Sequence, residues 1–221
     1  MLSNDYLPGT KMPVWQDPDM FRINTDTQLL GTFLRIRRNS RVLDIGTNNG
    51  ALLLYASRFS PAELVGIDPQ EKAVLMARRN LRRNHLKGRI LTGEVQNLQD
   101  GPFDAVLCNP PYLPDAGESL EKQNRALQIA RMERYLPLEE LFPAVKRLLK
   151  DNGRFFLIHR ACRLSQLMKQ AEACRLAIRR LQFAYDNPDA QAGAVLLEMT
   201  PGLQKDIRVE RPALLHQEAG I

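Results

Sequence analysis

Cysteine is scarce. Cys108, Cys162 and Cys174 are the only three in 221 residues, and they are scattered, odd in number and without a CxxC or Cys/His ligand spacing. That excludes a disulfide framework and argues against structural zinc, so three reduced core residues are expected. Histidine is as rare: His85, His159 and His216 share no helical or clustered spacing. No metal site is expected, and His159 reads as a strand-end residue rather than a ligand. No apolar run approaches the roughly 20 residues that a bilayer helix needs, and Met1 to Met12 lacks a basic stretch followed by an apolar one. The expectation is a cytoplasmic, unprocessed chain with no membrane partner. Neither GxGxxG nor GxxxxGK(S/T) occurs, which removes support for a nicotinamide site and for a Walker-type phosphate cradle. Internal repeats, low-complexity tracts and linkers are also missing.

What is present is enough apolar sequence, 44% of residues, to bury one sizeable core. From Arg41 onward short apolar runs alternate with stretches of helical period, the pattern of a parallel sheet covered by helices on both faces. Strands are predicted at Val42–Ile45, Leu64–Asp68, Arg89–Thr92, Phe103–Cys108 and Gly153–His159. Helices are predicted at Gly50–Phe59, Gln70–Arg83, Leu138–Lys150 and Leu164–Cys174. Two further strands, Ala177–Tyr185 and Ala194–Met199, are joined by a turn-rich loop with no room for a helix, so they must be antiparallel. The expected organisation is an irregular arm with a short helix, Asp26–Leu34, over residues 1–40, one α/β domain over 41–200, and a loose tail over 201–221.

Two places carry chemistry. The first strand ends in Asp44-Ile45-Gly46-Thr47-Asn48-Asn49-Gly50 before a helix begins, where glycines let a ligand approach the backbone and the helix N-terminus offers free N–H groups. Asp68, ending the next strand about 20 residues after the glycine turn, suits a pair of ribose hydroxyls. A tight turn followed by a helix-capping Asp is the structural alternative. The fourth strand ends in Asn109-Pro110-Pro111-Tyr112. Consecutive prolines hold the chain extended and cannot donate, so carbonyls and the Asn side chain face outward beside an aromatic ring. That combination suits a planar amide or an aminopurine; the alternative is a rigid turn with a core Tyr.

With Phe21–Thr27, Asp44–Thr47, Asn109–Tyr112, Ile129–Arg131, Gly153–Phe155, His159-Arg160 and Arg163-Leu164, the chain resembles the class I S-adenosylmethionine-dependent methyltransferases that carry Asn-Pro-Pro-Tyr. Among them it is most similar to the bacterial adenine-N6 methyltransferases of valine tRNA. The resemblance implies a Rossmann-like fold: a seven-stranded, mostly parallel sheet ending in an antiparallel hairpin, with helices on both faces. It implies S-adenosyl-L-methionine as cofactor and tRNA as partner, with methyl transfer to the purine just 3′ of the anticodon.

Carried over by position, Asp44, Gly46 and Gly50 would surround the methionine portion of the cofactor, with Thr25 and Asp26 closing over it. Asp68 would take the ribose hydroxyls and Glu94 the adenine amino group. Asn109 and the Pro110 carbonyl would hold the target amine, with Tyr112 stacked on the base. Asn48 stands where the usual turn has its middle glycine, Glu94 where relatives place Asp, and Met132 where relatives often carry His.

A charge of +6 favours a polyanionic partner. Arg125, Arg131 and Arg134, following the catalytic motif, are the candidates for RNA contact. Arg78, Arg79, Arg82, Arg83, Lys87 and Arg89 form a second basic run, and Arg35, Arg37, Arg38 and Arg41 a third. The run from Arg78 reads equally as a solvated helix face. Rival activities on the same motif are N5-methylation of a protein glutamine and N2-methylation of guanine; a non-catalytic RNA-binding protein is the rival of another class.

Overall fold

The computed structural model describes residues 2–18, 20–110 and 136–215. The arm contains β1 (Ser3–Tyr6) and β2 (Pro13–Gln16), followed by α1 (Thr25–Phe33). Then come β3 (Arg41–Ile45), α2 (Ala51–Ser57), β4 (Glu63–Asp68), α3 (Glu71–Arg83), β5 (Arg89–Thr92) and β6 (Phe103–Cys108). The second half runs α4 (Leu138–Leu148), β7 (Leu149–Arg160), α5 (Leu164–Ala173), β8 (Leu176–Tyr185) and β9 (Ala192–Pro201). It closes with the two-residue strands β10 (Arg208–Val209) and β11 (Ala213–Leu214).

The strands β7, β6, β3, β4 and β5 lie side by side in that order and pair in parallel. The hairpin β8–β9 joins with β9 antiparallel to β7, as the missing crossover between them requires. Because the strands are buried on both sides, alternate residues of continuous apolar runs serve two cores. Leu43, Val65, Phe155, Leu157 and Leu197 pack with Phe142 and Val145 of α4, whereas Val42, Leu64, Phe156, Ile158 and Leu196 pack under α1, α2 and α3. Each such side chain contributes about 1.5–3 kcal/mol of burial.

Three expectations are corrected. The arm is not irregular: β1 and β2 form an antiparallel hairpin around Leu7–Thr10, where the Thr10 N–H donates to the Leu7 carbonyl at 3.0 Å. Its docking relies on side chains of the helices. Asn80, fully buried, accepts from the Trp15 N–H at 2.7 Å and donates to the Trp15 carbonyl at 2.9 Å. Asn84 donates to the Pro13 carbonyl and the Tyr55 hydroxyl to that of Pro8. The tail is not loose through its first part either. β10 and β11 pair in parallel with β8 and extend the sheet to nine strands, covering an edge that would otherwise expose unpaired backbone. The cysteines also differ from expectation: Cys108 is buried, but Cys174 is only partly covered and Cys162 is exposed.

Helix α1 is held at its C-terminal end from the sheet. Arg180 donates to the Phe33 carbonyl at 2.6 Å with its guanidinium 3.7 Å from the Phe33 ring centroid, and Arg154 donates to the Arg35 carbonyl at 3.2 Å. Both arginines also bind buried Glu198, at 2.8 and 2.9 Å, so their charge is matched while Arg180 satisfies an open carbonyl of the helix end and Arg154 one just beyond it. Among the described residues, no helix is long and apolar enough to cross a membrane.

Candidate active site

The sheet order reverses at β3: the chain passes from β3 to β4 and β5, then returns to β6 on the other side. Ligands of open α/β sheets bind at the carboxyl ends of the strands beside such a switch. The register Ile45↔Cys108 sets Gly46 beside Asn109, and Ile45↔Ile67 sets it beside Asp68. Sequence-distant candidates are thereby brought to one edge.

Asp44 is 1% exposed. Its Oδ2 accepts the Thr47 hydroxyl at 2.8 Å, while its Oδ1 is buried with no partner among the described residues. Burial pushes its pKa up to about 8, the Thr47 bond opposing and the charge of Asp68 adding to the rise. Thr47 can lie across β4 because a Cβ on Gly66 would come 2.8 Å from its Oγ1. Gly46 has φ +68°, and a Cβ there would meet nothing within 4 Å. The turn therefore combines an orphaned carboxyl oxygen with open space over the backbone.

Asp68 is oriented by two backbone donors: Gln70 N–H to Oδ1 at 2.9 Å and Asn48 N–H to Oδ2 at 3.0 Å. Burial still raises its pKa above the ordinary value despite both bonds. Each oxygen keeps a lone pair, so the carboxylate is a fixed fork for two further donors. Asn48 takes φ +47°, a left-handed conformation that asparagine tolerates better than most residues, and its Nδ2 donates to the Phe21 carbonyl at 2.6 Å. Its side chain thus ties the turn to the segment leading into α1. Gly50, at φ +81°, faces α3, where a Cβ would stand 3.1 Å from Leu81 and 3.3 Å from Ala77.

Asn109, at the end of β6, donates through Nδ2 to Thr27 Oγ1 at 3.3 Å. Thr27 in turn bonds Asn24, which caps α1 and also donates to Asp26 Oδ2 at 3.3 Å. Thr25 is exposed on the same first turn. Pro110 is buried. Glu94 is exposed and accepts from Asn97 at 3.2 Å, on its own turn. Pro111, Tyr112, Arg125, Arg131, Met132 and Arg134 lie outside the described residues. His159 is buried, and burial, with the positive charges of Arg163 and Arg160, lowers its pKa to about 4. Sequence reasoning gave Thr27 and Thr47 no role of their own. The spacing Asn24-x-x-Thr27, a helix-capping signature, was the available signal for the first.

The basic runs separate in space. Arg41 binds Glu63 at 2.7 Å and Asp100 at 3.1 Å, and Arg89 binds the same two acids, all at the amino edge. Arg79 and Arg83 lie over the Trp15 ring, 5.1 and 4.5 Å from its centroid.

S-adenosylmethionine offers an ammonium, a ribose diol and a bulky sulfonium. The orphaned Asp44 oxygen, the Asp68 fork and the space over Gly46 are complementary to those groups. Fold and site define an S-adenosylmethionine-dependent class I methyltransferase. Comparison with known proteins narrows this: the family model described as methyltransferase small domain matches residues 11–184, and the chain belongs to that family. It is 28% identical over 204 residues to the tRNA1(Val) (adenine(37)-N6)-methyltransferase of Parabacteroides distasonis, covering 90% of this chain and 85% of that one. The enzyme of the same name from Aeromonas salmonicida is 34% identical over 149 residues, 66% of this chain and 62% of that one. Among solved structures, a 16S rRNA N2 methyltransferase of T. thermophilus, determined with AdoMet and guanosine, superposes with a TM-score of 0.65 at 20% identity. The match covers 91% of this chain and 50% of that one. A predicted O-methyltransferase of Agrobacterium tumefaciens gives 0.64 at 20% identity, over 89% and 90% of the two chains.

Proposed function

We propose that the chain methylates the exocyclic N6 amine of an adenine in RNA, in tRNA at the purine just 3′ of the anticodon. The observation that carries this reading is Asn109 at the switch point beside Gly46, leading into Pro110-Pro111-Tyr112. The names of the tRNA-modifying relatives and the +6 charge support it.

In this reading Asp44 receives the amino group of the cofactor and Asp68 its ribose hydroxyls. Gly46 and Gly50 shape the turn, Thr25 and Asp26 close over the methionine portion, and Glu94 meets the adenine amino group. The bound cofactor supplies a methyl group on a positively charged sulfur. The chain's own work is alignment. Adenine's amine is a poor nucleophile because its lone pair is delocalised into the ring. Asn109 Oδ1 and the Pro110 carbonyl accept its two hydrogens, which favours tetrahedral geometry and aims the lone pair; the proton that the methylated amine sheds passes to water, and no dedicated base is needed. The target base must leave its stack, and Tyr112 gives it a ring to stack on.

Treating unmodified tRNA with protein and labelled cofactor should yield N6-methyladenosine by nucleoside mass spectrometry. Methylated guanine, or transfer to a protein glutamine but to no RNA, would sink the reading. Asn109→Ala should lower kcat by about a hundredfold or more while affinity for S-adenosylhomocysteine stays within about twofold. Arg131→Ala should reduce the slope of log affinity against log salt by about 0.7–0.9 if Arg131 contacts a phosphate.

A further inference from the structure

The hydrogen bonds around Asn109 have a direction that can be traced from a backbone group. A backbone N–H only donates, so the 3.0 Å contact from the Thr27 N–H identifies the Asn24 atom it meets as the oxygen, Oδ1. The other end of that amide confirms the assignment by donating to Asp26 Oδ2. The Thr27 hydroxyl lies 3.0 Å from the same Asn24 oxygen, so its single hydrogen is donated there. Thr27 Oγ1 is left only as an acceptor. Its 3.3 Å contact with Asn109 must therefore be made by the NH2 end of the Asn109 amide. The carbonyl end, Oδ1, points away from Thr27 and meets no donor among the described residues.

We propose that Thr27 is a positioning residue that fixes which end of the Asn109 amide faces the substrate. The inference rests on the reading that Asn109 accepts a hydrogen from a target amine. An Asn amide is nearly symmetric in shape, so packing alone discriminates poorly between its two orientations; the flipped one would present a donor to a donor. Thr27 removes that choice, and it is itself well placed to do so. It is 7% exposed, on the first turn of a helix held at its far end by Arg180 and Arg154. The direction of the lock originates in the backbone of α1, not in the substrate.

Thr27→Val keeps the shape and the capped backbone N–H but removes the hydroxyl. Its kcat for tRNA should fall about ten- to a hundredfold, with the tRNA KM and S-adenosylhomocysteine affinity within about twofold. Thr27→Ser should return kcat to within about threefold of wild type. In an Asn109→Asp background, where both ends of the side chain are acceptors, Thr27→Val should cost less than about twofold, because no orientation remains to be fixed. Equal losses in both backgrounds, a wild-type kcat for Thr27→Val, or no rescue by serine would overturn the proposal. NMR of protein labelled with 15N-asparagine tests the lock without any substrate. One Asn109 Nδ2 proton should exchange slowly in wild type and faster in Thr27→Val; identical exchange would overturn the lock. If that exchange difference is seen but the wild-type protein methylates no RNA, the lock stands and the proposed substrate fails.

Discussion

The two edges of one parallel sheet treat carboxyl groups in opposite ways. At the amino edge Glu63 is held below its ordinary pKa chiefly by the hydrogen bond from Arg41, with Arg89 adding to it. Partial burial would raise Asp104, but the Lys150 ammonium at 2.8 Å and the Arg41 N–H outweigh it. At the carboxyl edge Asp44 and Asp68 meet no cation among the described residues, only a hydroxyl and backbone N–H groups, and burial raises both. Acids that serve stability are neutralised by residues of the chain. Those proposed to meet the cofactor are oriented by the chain and would be completed by the ligand.

The comparison is broken most directly by exchanging the test between edges. Asp68→Ala should weaken S-adenosylhomocysteine binding at least about tenfold in calorimetry, since each charge-assisted hydrogen bond is worth about 1.5–3 kcal/mol. Similar losses from Glu63→Gln would erase the distinction.

A second effect is a slope in pH. The pKa of Asp44 is raised in the folded protein, so its contribution is fully present below the ordinary carboxylate value and is lost as pH rises towards about 8. Urea unfolding of the ligand-free protein should show stability falling across that window, by at most about 1.4 kcal/mol per pH unit from this group. Asp44→Asn should flatten the slope. The lowered acids of the amino edge act in reverse, their contribution being lost only as pH falls through their depressed values. The smallest effect is expected from Glu63→Gln on stability: no more than about 1 kcal/mol, shrinking with added salt.

Legibility in the sequence followed the range of the interactions. Long apolar strands announce themselves, and an acid or an Asn-Pro-Pro closing one is placed at a sheet edge by the strand alone, which is why Asp68 and Asn109 could be named from the strands. Asp44, one residue inside the end of its strand, was named only through the family resemblance. The positive φ of Asn48 was readable from its place in a glycine turn; its bond to Phe21, 27 residues earlier, was not. The contact between Thr27 and Asn109 spans 82 residues and leaves no periodic trace. Arg41 and Arg89 counted as members of basic runs until folding brought Glu63 and Asp100 to both. The amino-terminal hairpin was hidden by short strands and three prolines, and the tail strands, two residues each, carry no pattern at all.

The way that hairpin is fastened divides the freedom to change unevenly. Asn80, Asn84 and Tyr55 grip backbone groups: at Trp15 a carbonyl and an N–H that any residue but proline could provide, and at Pro8 and Pro13 only a carbonyl. These bonds therefore leave the side chains at Pro8 and Pro13 unspecified, whereas Leu7 and Val14, fully buried, and Trp15, under Arg79 and Arg83, are fixed by packing. Asn80 is the least replaceable, because it also donates to the Asn49 carbonyl at 2.9 Å. An alteration there would loosen the arm and the turn from Gly46 to Gly50 together, whereas a change at Pro8 or Pro13 that keeps the carbonyl in place would leave these bonds intact.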